Sequence, residues 1–148
     1  MVVLYRMIMI LAGYSLACVA ASLVLALGTL APEWNELFAA FGVQSSQAQS
    51  TALWMVVGLG ALIIFVVGIL PMLLIIVIVE GFALRSVVIY GVIGGVLALV
   101  MAYGLDFANY IAVPGSDLAR EREVFAAAGI AGGLVYWLFA GRKAGAWK

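Results

Sequence analysis

The seven basic and seven acidic residues of this chain are not spread evenly; they separate four long stretches that carry no charge. Met7–Ala31 is the first, Leu53–Val79 the second, Ser86–Leu105 the third and Val124–Gly141 the fourth. A helix needs about 20 apolar residues to cross a hydrocarbon core ~30 Å thick, so each stretch predicts a transmembrane helix. The fourth is expected to begin earlier. Pro114-Gly115-Ser116 reads as a turn with an N-cap, and Asp117 then suits the positive end of the helix dipole. The expected helices cover about residues 7–31, 53–79, 86–105 and 117–141. They form one membrane domain spanning 1–148.

The connections between these segments differ in kind. Glu80 to Arg85 is a very short link, so the second and third helices are expected to form an antiparallel hairpin. The first connection begins with Pro32 and continues to Gly42. Pro at the start and Gly at the end suit a short helix over about residues 32–41. Trp34, Leu37, Phe38 and Phe41 recur at helical spacing while Glu33 and Glu36 face elsewhere, which describes an amphipathic helix lying in the membrane interface. A locally ordered loop packed on the bundle is the other reading. Gln44–Ser50 reads as a polar linker.

Composition agrees with this pattern and excludes other classes. The chain has 148 residues, 68% hydrophobic and 9% charged, with a mean hydropathy of +1.27. Soluble domains carry about 25% charged residues, and disorder needs low hydrophobicity. There is no His and only one Cys, Cys18. That rules out a His-ligated haem, a zinc site of His and Cys, a four-cysteine iron–sulfur cluster, an internal disulfide and a Ser–His–Asp triad. Zero formal net charge leaves no basic patch for a nucleic acid. No cofactor and no metal are expected.

The first apolar run is about 25 residues, too long for a signal-peptide core of ~7–15, and is expected to stay as an anchor. Lys and Arg set the orientation. Arg6, Arg85, Arg142, Lys143 and Lys148 lie on one side, and Arg120 and Arg122 on the other. Both termini are therefore expected in the cytoplasm. Trp34 and Trp54 would mark the outer interface, with Trp137 and Trp147 at the inner one.

Few residues invite a functional reading. Glu80 and Arg85 bracket the inner hairpin, either as a gate or binding contact or as a local ion pair closing the turn. Pro71 lies inside the second segment, where it removes a backbone bond to Val67 and predicts a bend. Gly91 and Gly95, and Gly129 and Gly133, are GxxxG pairs, with Gly94–Ala98–Ala102 and Gly13–Ala17–Ala21 as weaker versions. Such strips let helix backbones approach closely, within the bundle or in a dimer. The third and fourth helices are expected to cross near Gly95 and Gly133. Ser15, Ser22 and Thr29 share a face of the first helix with Cys18, and each hydroxyl bonds either another helix or its own preceding turn.

Three stretches carry a resemblance: Leu53–Val57, Ile78–Ser86 with its Glu-Gly-Phe, and Ala127–Arg142 with Gly-Gly-Leu-Val-Tyr-Trp and Ala-Gly-Arg. They resemble a group of small, uncharacterised inner-membrane proteins of alphaproteobacteria, in rhizobia and their photosynthetic relatives. The resemblance implies a bacterial inner membrane and four helices, and no activity. Small multidrug exporters need a membrane-embedded Glu in the first helix, and Met7–Ala31 has no acid.

The expected fold is an all-α integral membrane protein: four transmembrane helices in an antiparallel bundle, with a short interfacial helix in the first outer connection. The expected function is non-catalytic, as an accessory or assembly subunit of a larger inner-membrane complex, or through self-association. The alternative is a small oligomeric transporter or channel. An enzyme would need titratable groups in a cleft, and only Glu80, Arg85, Tyr103 and Asp106 offer themselves.

Overall fold

The computed structural model describes residues 2–30, 34–42, 45–81, 86–104 and 118–143. Every regular element among them is helical: α1 (Val2–Leu30), α2 (Trp34–Ala40), α3 (Ser46–Gly81), α4 (Val87–Gly104), α5 (Leu118–Phe139) and a closing 3-10 turn, Gly141–Lys143. Four of these, α1, α3, α4 and α5, are long and apolar enough to cross a membrane. The chain is an all-α, multi-pass membrane protein. Helices suit these segments because hydrocarbon offers no partner to backbone N–H and C=O groups, so each span must satisfy them internally.

The helix ends depart most from the sequence reading at the starts of α1 and α3. α1 begins at Val2, ahead of Arg6. α3 begins at Ser46, so the described part of the expected linker Gln44–Ser50 is helix. Ser45 caps it: its Oγ accepts the N–H of Ala48 at 3.3 Å, and its carbonyl accepts that of Gln49 at 3.1 Å. That side-chain bond satisfies an otherwise orphaned first-turn donor. Ser50 and Thr51 both donate to the Gln47 carbonyl at 2.9 Å, which turns their hydroxyls back onto the helix. α3 thus has 36 residues, or about 54 Å of helix at ~1.5 Å per residue, and continues through Pro71. The expected turn at Pro114–Ser116, together with Asp117, Arg85 and Asp106, lies outside the described residues.

The short helix α2 is amphipathic, with Asn35 and Glu36 exposed and Phe38 buried. Trp34 and Phe38 meet edge to face at 4.9 Å between ring centroids. Gly42, at φ +68°, ends the turn that follows, its N–H donating to the Ala39 carbonyl at 3.1 Å. A left-handed residue at a helix end favours glycine, which has no Cβ to clash.

The spans are arranged in the spatial order α3–α1–α5–α4. α5 packs on α1 with one face and on α4 with another, and α3 packs on α1. α3 and α4 follow one another in the chain yet do not pack along their length. The expected hairpin is corrected here: each of the two helices is bound to a different partner. Gly91, Gly94 and Gly95 of α4 face α5, and Gly60 and Gly68 of α3 face α1. The N-terminal part of α1 and the C-terminal part of α5 share one end of the bundle, where Gly13 lies against Phe139 and Ala140. We call this the termini end. At the far end Gly28 meets Val124.

Candidate functional site

The glycines of α4 and α5 make the closest helix contact. A Cβ placed on Gly94 would strike the Gly129 carbonyl oxygen, and one on Gly129 would strike the Gly94 carbonyl oxygen. Gly133 stands in the same relation to the carbonyl of Tyr90. The crossing centres on Gly94, Gly129 and Gly133, and Gly95 lies beside it. A Cβ on Gly95 would meet the Ile130 side chain at 3.1 Å, and one on Gly91 would find Leu134 at an ordinary 3.7 Å. Both GxxxG pairs therefore face within the bundle, with the backbone contact one residue from the expected Gly95.

Hydroxyl groups join α1 to α3. Ser22 Oγ donates to the Val57 carbonyl at 2.8 Å, and Tyr14 Oη donates to the Phe65 carbonyl at 2.9 Å. Glycines make room for them: a Cβ on Gly60 would collide with Ser22 Oγ, and one on Gly68 would come within 2.7 Å of Tyr14 Oη. Of the three expected hydroxyls, Ser22 alone reaches another helix. Ser15 and Thr29 donate to their own preceding turns, at Leu11 and Leu25. Tyr14, Gly60 and Gly68 were not among the candidates. A signal was present: Tyr14 and Ser22 are eight residues apart, as are Gly60 and Gly68, so each pair lies on one helix face two turns apart.

Because α3 and α4 diverge, the four helices enclose a slot of about 410 Å³ between them. Its walls are apolar side chains and glycines from all four spans, Leu25, Ile64, Leu97 and Phe125 among them. Cys18, buried and unoxidised, also lines it. Along α1 the slot runs from Tyr14 to Thr29, about 22 Å at ~1.5 Å per residue. At the termini end Val79, Tyr90 and Tyr136, all buried, fill the space between the helices. The rings of Tyr90 and Tyr136 lie 5.8 Å apart there.

The far end is polar. Arg120 donates to the Gly28 carbonyl at 3.2 Å, placing a cation at the negative end of α1. Arg122 lies 5.3 Å above the Tyr103 ring of α4, and Glu121 between them is buried. Arg142 lies over Trp137 at the other end, 5.8 Å from its ring. Glu80 occupies the last turn of α3. Among the described residues no three of His, Cys, Asp and Glu gather as a metal site would require.

No protein-family model, curated protein or solved structure matches the chain.

Proposed function

We propose that this protein is a non-catalytic subunit that acts by helix association inside a bacterial inner membrane, as an accessory or assembly factor of a larger complex. The observation that carries this reading is the position of α3. It is the most apolar span and the least buried, with 6% of its apolar window buried against 28% for α1. It is attached along one face, through α1, and presents Leu62, Val66, Leu70 and Val77 on its free surface. In lipid, helices associate through close packing and not by hydrophobic exclusion, so a long helix at the edge of a bundle suits docking against another membrane subunit.

Purification from native membranes in mild detergent, followed by mass spectrometry, tests the reading. Larger membrane subunits should co-purify in fixed ratio. A homogeneous homo-oligomer that moves a solute across liposomes would replace the proposal with a transporter. Both termini are placed in the cytoplasm from the Lys/Arg asymmetry. A phosphatase fused after Lys148 should then be inactive in intact cells, and an active fusion reverses the orientation.

A further inference from the structure

The slot between α3 and α4 has a different use from a helix-docking face. We propose that it is a binding site for one acyl chain of a phospholipid, with the lipid phosphate held at Arg120 and Arg122. A volume of about 410 Å³ falls within the ~300–1,000 Å³ of sites that take small molecules. Water is a poor occupant, because a buried water needs two to four polar partners and dry apolar cavities of about 150 Å³ already take up hydrocarbons. Of the hydroxyls that α1 brings to the slot, Tyr14 and Ser22 are committed to carbonyls of α3, and Thr29 to that of Leu25. Hydrocarbon also has a way in: Val56 and Ile63 line the slot and are exposed, on the side where α3 and α4 stand apart. In a membrane that gap faces lipid tails.

The ends of the slot set the direction of the chain. Tyr90, Tyr136 and Val79 fill the termini end, so the slot is blind there. At the far end, Thr29, Ala102 and Phe125 line the last turn of the slot. Arg120 bonds the carbonyl beside Thr29, and Arg122 covers the ring beside Ala102. Both guanidinium groups are exposed, and each carries five N–H donors. Glu121 is buried beside them, and Glu123, the residue after Arg122, is exposed. Among the described residues this end of α5 therefore carries two exposed arginines, one buried acid and one exposed acid. An apolar cleft about 22 Å long, blind at one end and with two exposed arginines at the other, suits an amphiphile with an anionic head and a long tail. A ligand with charge along its length would meet no charged group in the walls.

Full-length protein in phosphatidylglycerol vesicles doped with a phospholipid carrying a diazirine in mid-chain tests this directly. Outward residues such as Leu70 and Val92 will label in any case, in proportion to the probe fraction. Slot residues such as Leu25 and Leu97 should label too, and their labelling should saturate as the probe fraction rises. Ile63→Trp with Leu97→Trp should abolish labelling at Leu25 and leave Leu70 labelled. Should that double variant not fold, saturation in the parent protein still decides. A diacylglycerol probe of equal chain length should label the slot more weakly than the phospholipid, and equal labelling overturns the phosphate contact. Unlabelled slot residues in the parent, non-saturating labelling there, or covalent links from slot residues to a second copy of the chain overturn the lipid site.

Discussion

The α4–α5 and α1–α3 interfaces both depend on glycine, for different reasons. Between α4 and α5 the glycines face backbone: Gly94 and Gly129 each lie against the other's carbonyl oxygen. The one side chain at the contact, Ala98 against Gly129, is a methyl group, so nothing there can rotate aside. Between α1 and α3 the glycines face hydroxyls: Gly60 receives Ser22 and Gly68 receives Tyr14. These contacts end in single oxygen atoms that also hydrogen-bond the neighbouring helix. The first interface is fixed by main-chain contact. The second packs one face of α3, joined to α1 by two hydroxyl bonds, and leaves the rest of α3 unpacked, which is why a slot opens on that side of the bundle and not between α4 and α5.

The largest expected effect comes from filling the backbone contact. Gly129→Leu or Gly94→Leu must separate two main chains, at or above the ~1–3 kcal/mol typical of overpacking. Each should lower the melting temperature in mild detergent more than Gly91→Leu, whose Cβ has ordinary contact distance. Equal losses at Gly91 and Gly94 would mean that the crossing lies elsewhere.

A smaller and more specific effect is expected at Gly60. Gly60→Ala places a methyl group against Ser22 Oγ and should destabilise the protein. The same change made on Ser22→Ala should be nearly neutral, because the colliding atom is gone. The coupling of the two sites, read from a double-mutant cycle, separates this account from a general intolerance of the helix to substitution. Additive losses would contradict the glycine–hydroxyl pairing. Smaller again are the bonds alone. Tyr14→Phe and Ser22→Ala should each cost about 0.6–2 kcal/mol, the usual range for interhelical bonds in lipid, seen as a modest fall in melting temperature. The smallest effect belongs to the far end, where Arg120→Gln removes a cation from the C-terminus of α1 and should cost about 0.3–1 kcal/mol. Ser15→Ala serves as the reference: its hydroxyl bonds only its own turn, so its melting temperature should match the parent's.

The four spans were legible because a membrane helix announces itself by length and by the charges that end it. Their ends were less so. Ser46–Ser50 is polar and still helical, since the Ser45 cap and the back-bonding of Ser50 and Thr51 supply what the uncharged run did not advertise. The neighbours of each helix were not legible from periodicity. In a span that is apolar on every side, no stripe of hydrophobic residues points to the core, and a short connection gives direction without contact, as α3 and α4 illustrate. Small residues gave partial access. The strips on α4 and α5 led to the right pair of helices and to a crossing near Gly95 and Gly133, with the tightest backbone contact on the adjacent Gly94. The α1–α3 contact was hidden because its code is a hydroxyl on one helix matched to a glycine on another. Glycine spacing alone carries half of that code. The slot follows from the helix order, which no single segment contains.

The spatial order α3–α1–α5–α4 is the claim on which the slot and both interfaces rest, and disulfide formation in membranes tests it most directly. With Cys18→Ala as background, Ala21→Cys and Gly132→Cys place two Cβ atoms 3.4 Å apart between α1 and α5, close to the ~3.5–4.5 Å of a disulfide. Val56→Cys and Leu97→Cys place two thiols on opposite walls of the slot. Mild oxidation should join the first pair within one chain and leave the second pair reduced. An intramolecular disulfide within the second pair, forming as readily as the α1–α5 link, would bring α3 against α4, close the slot and contradict the order of the helices.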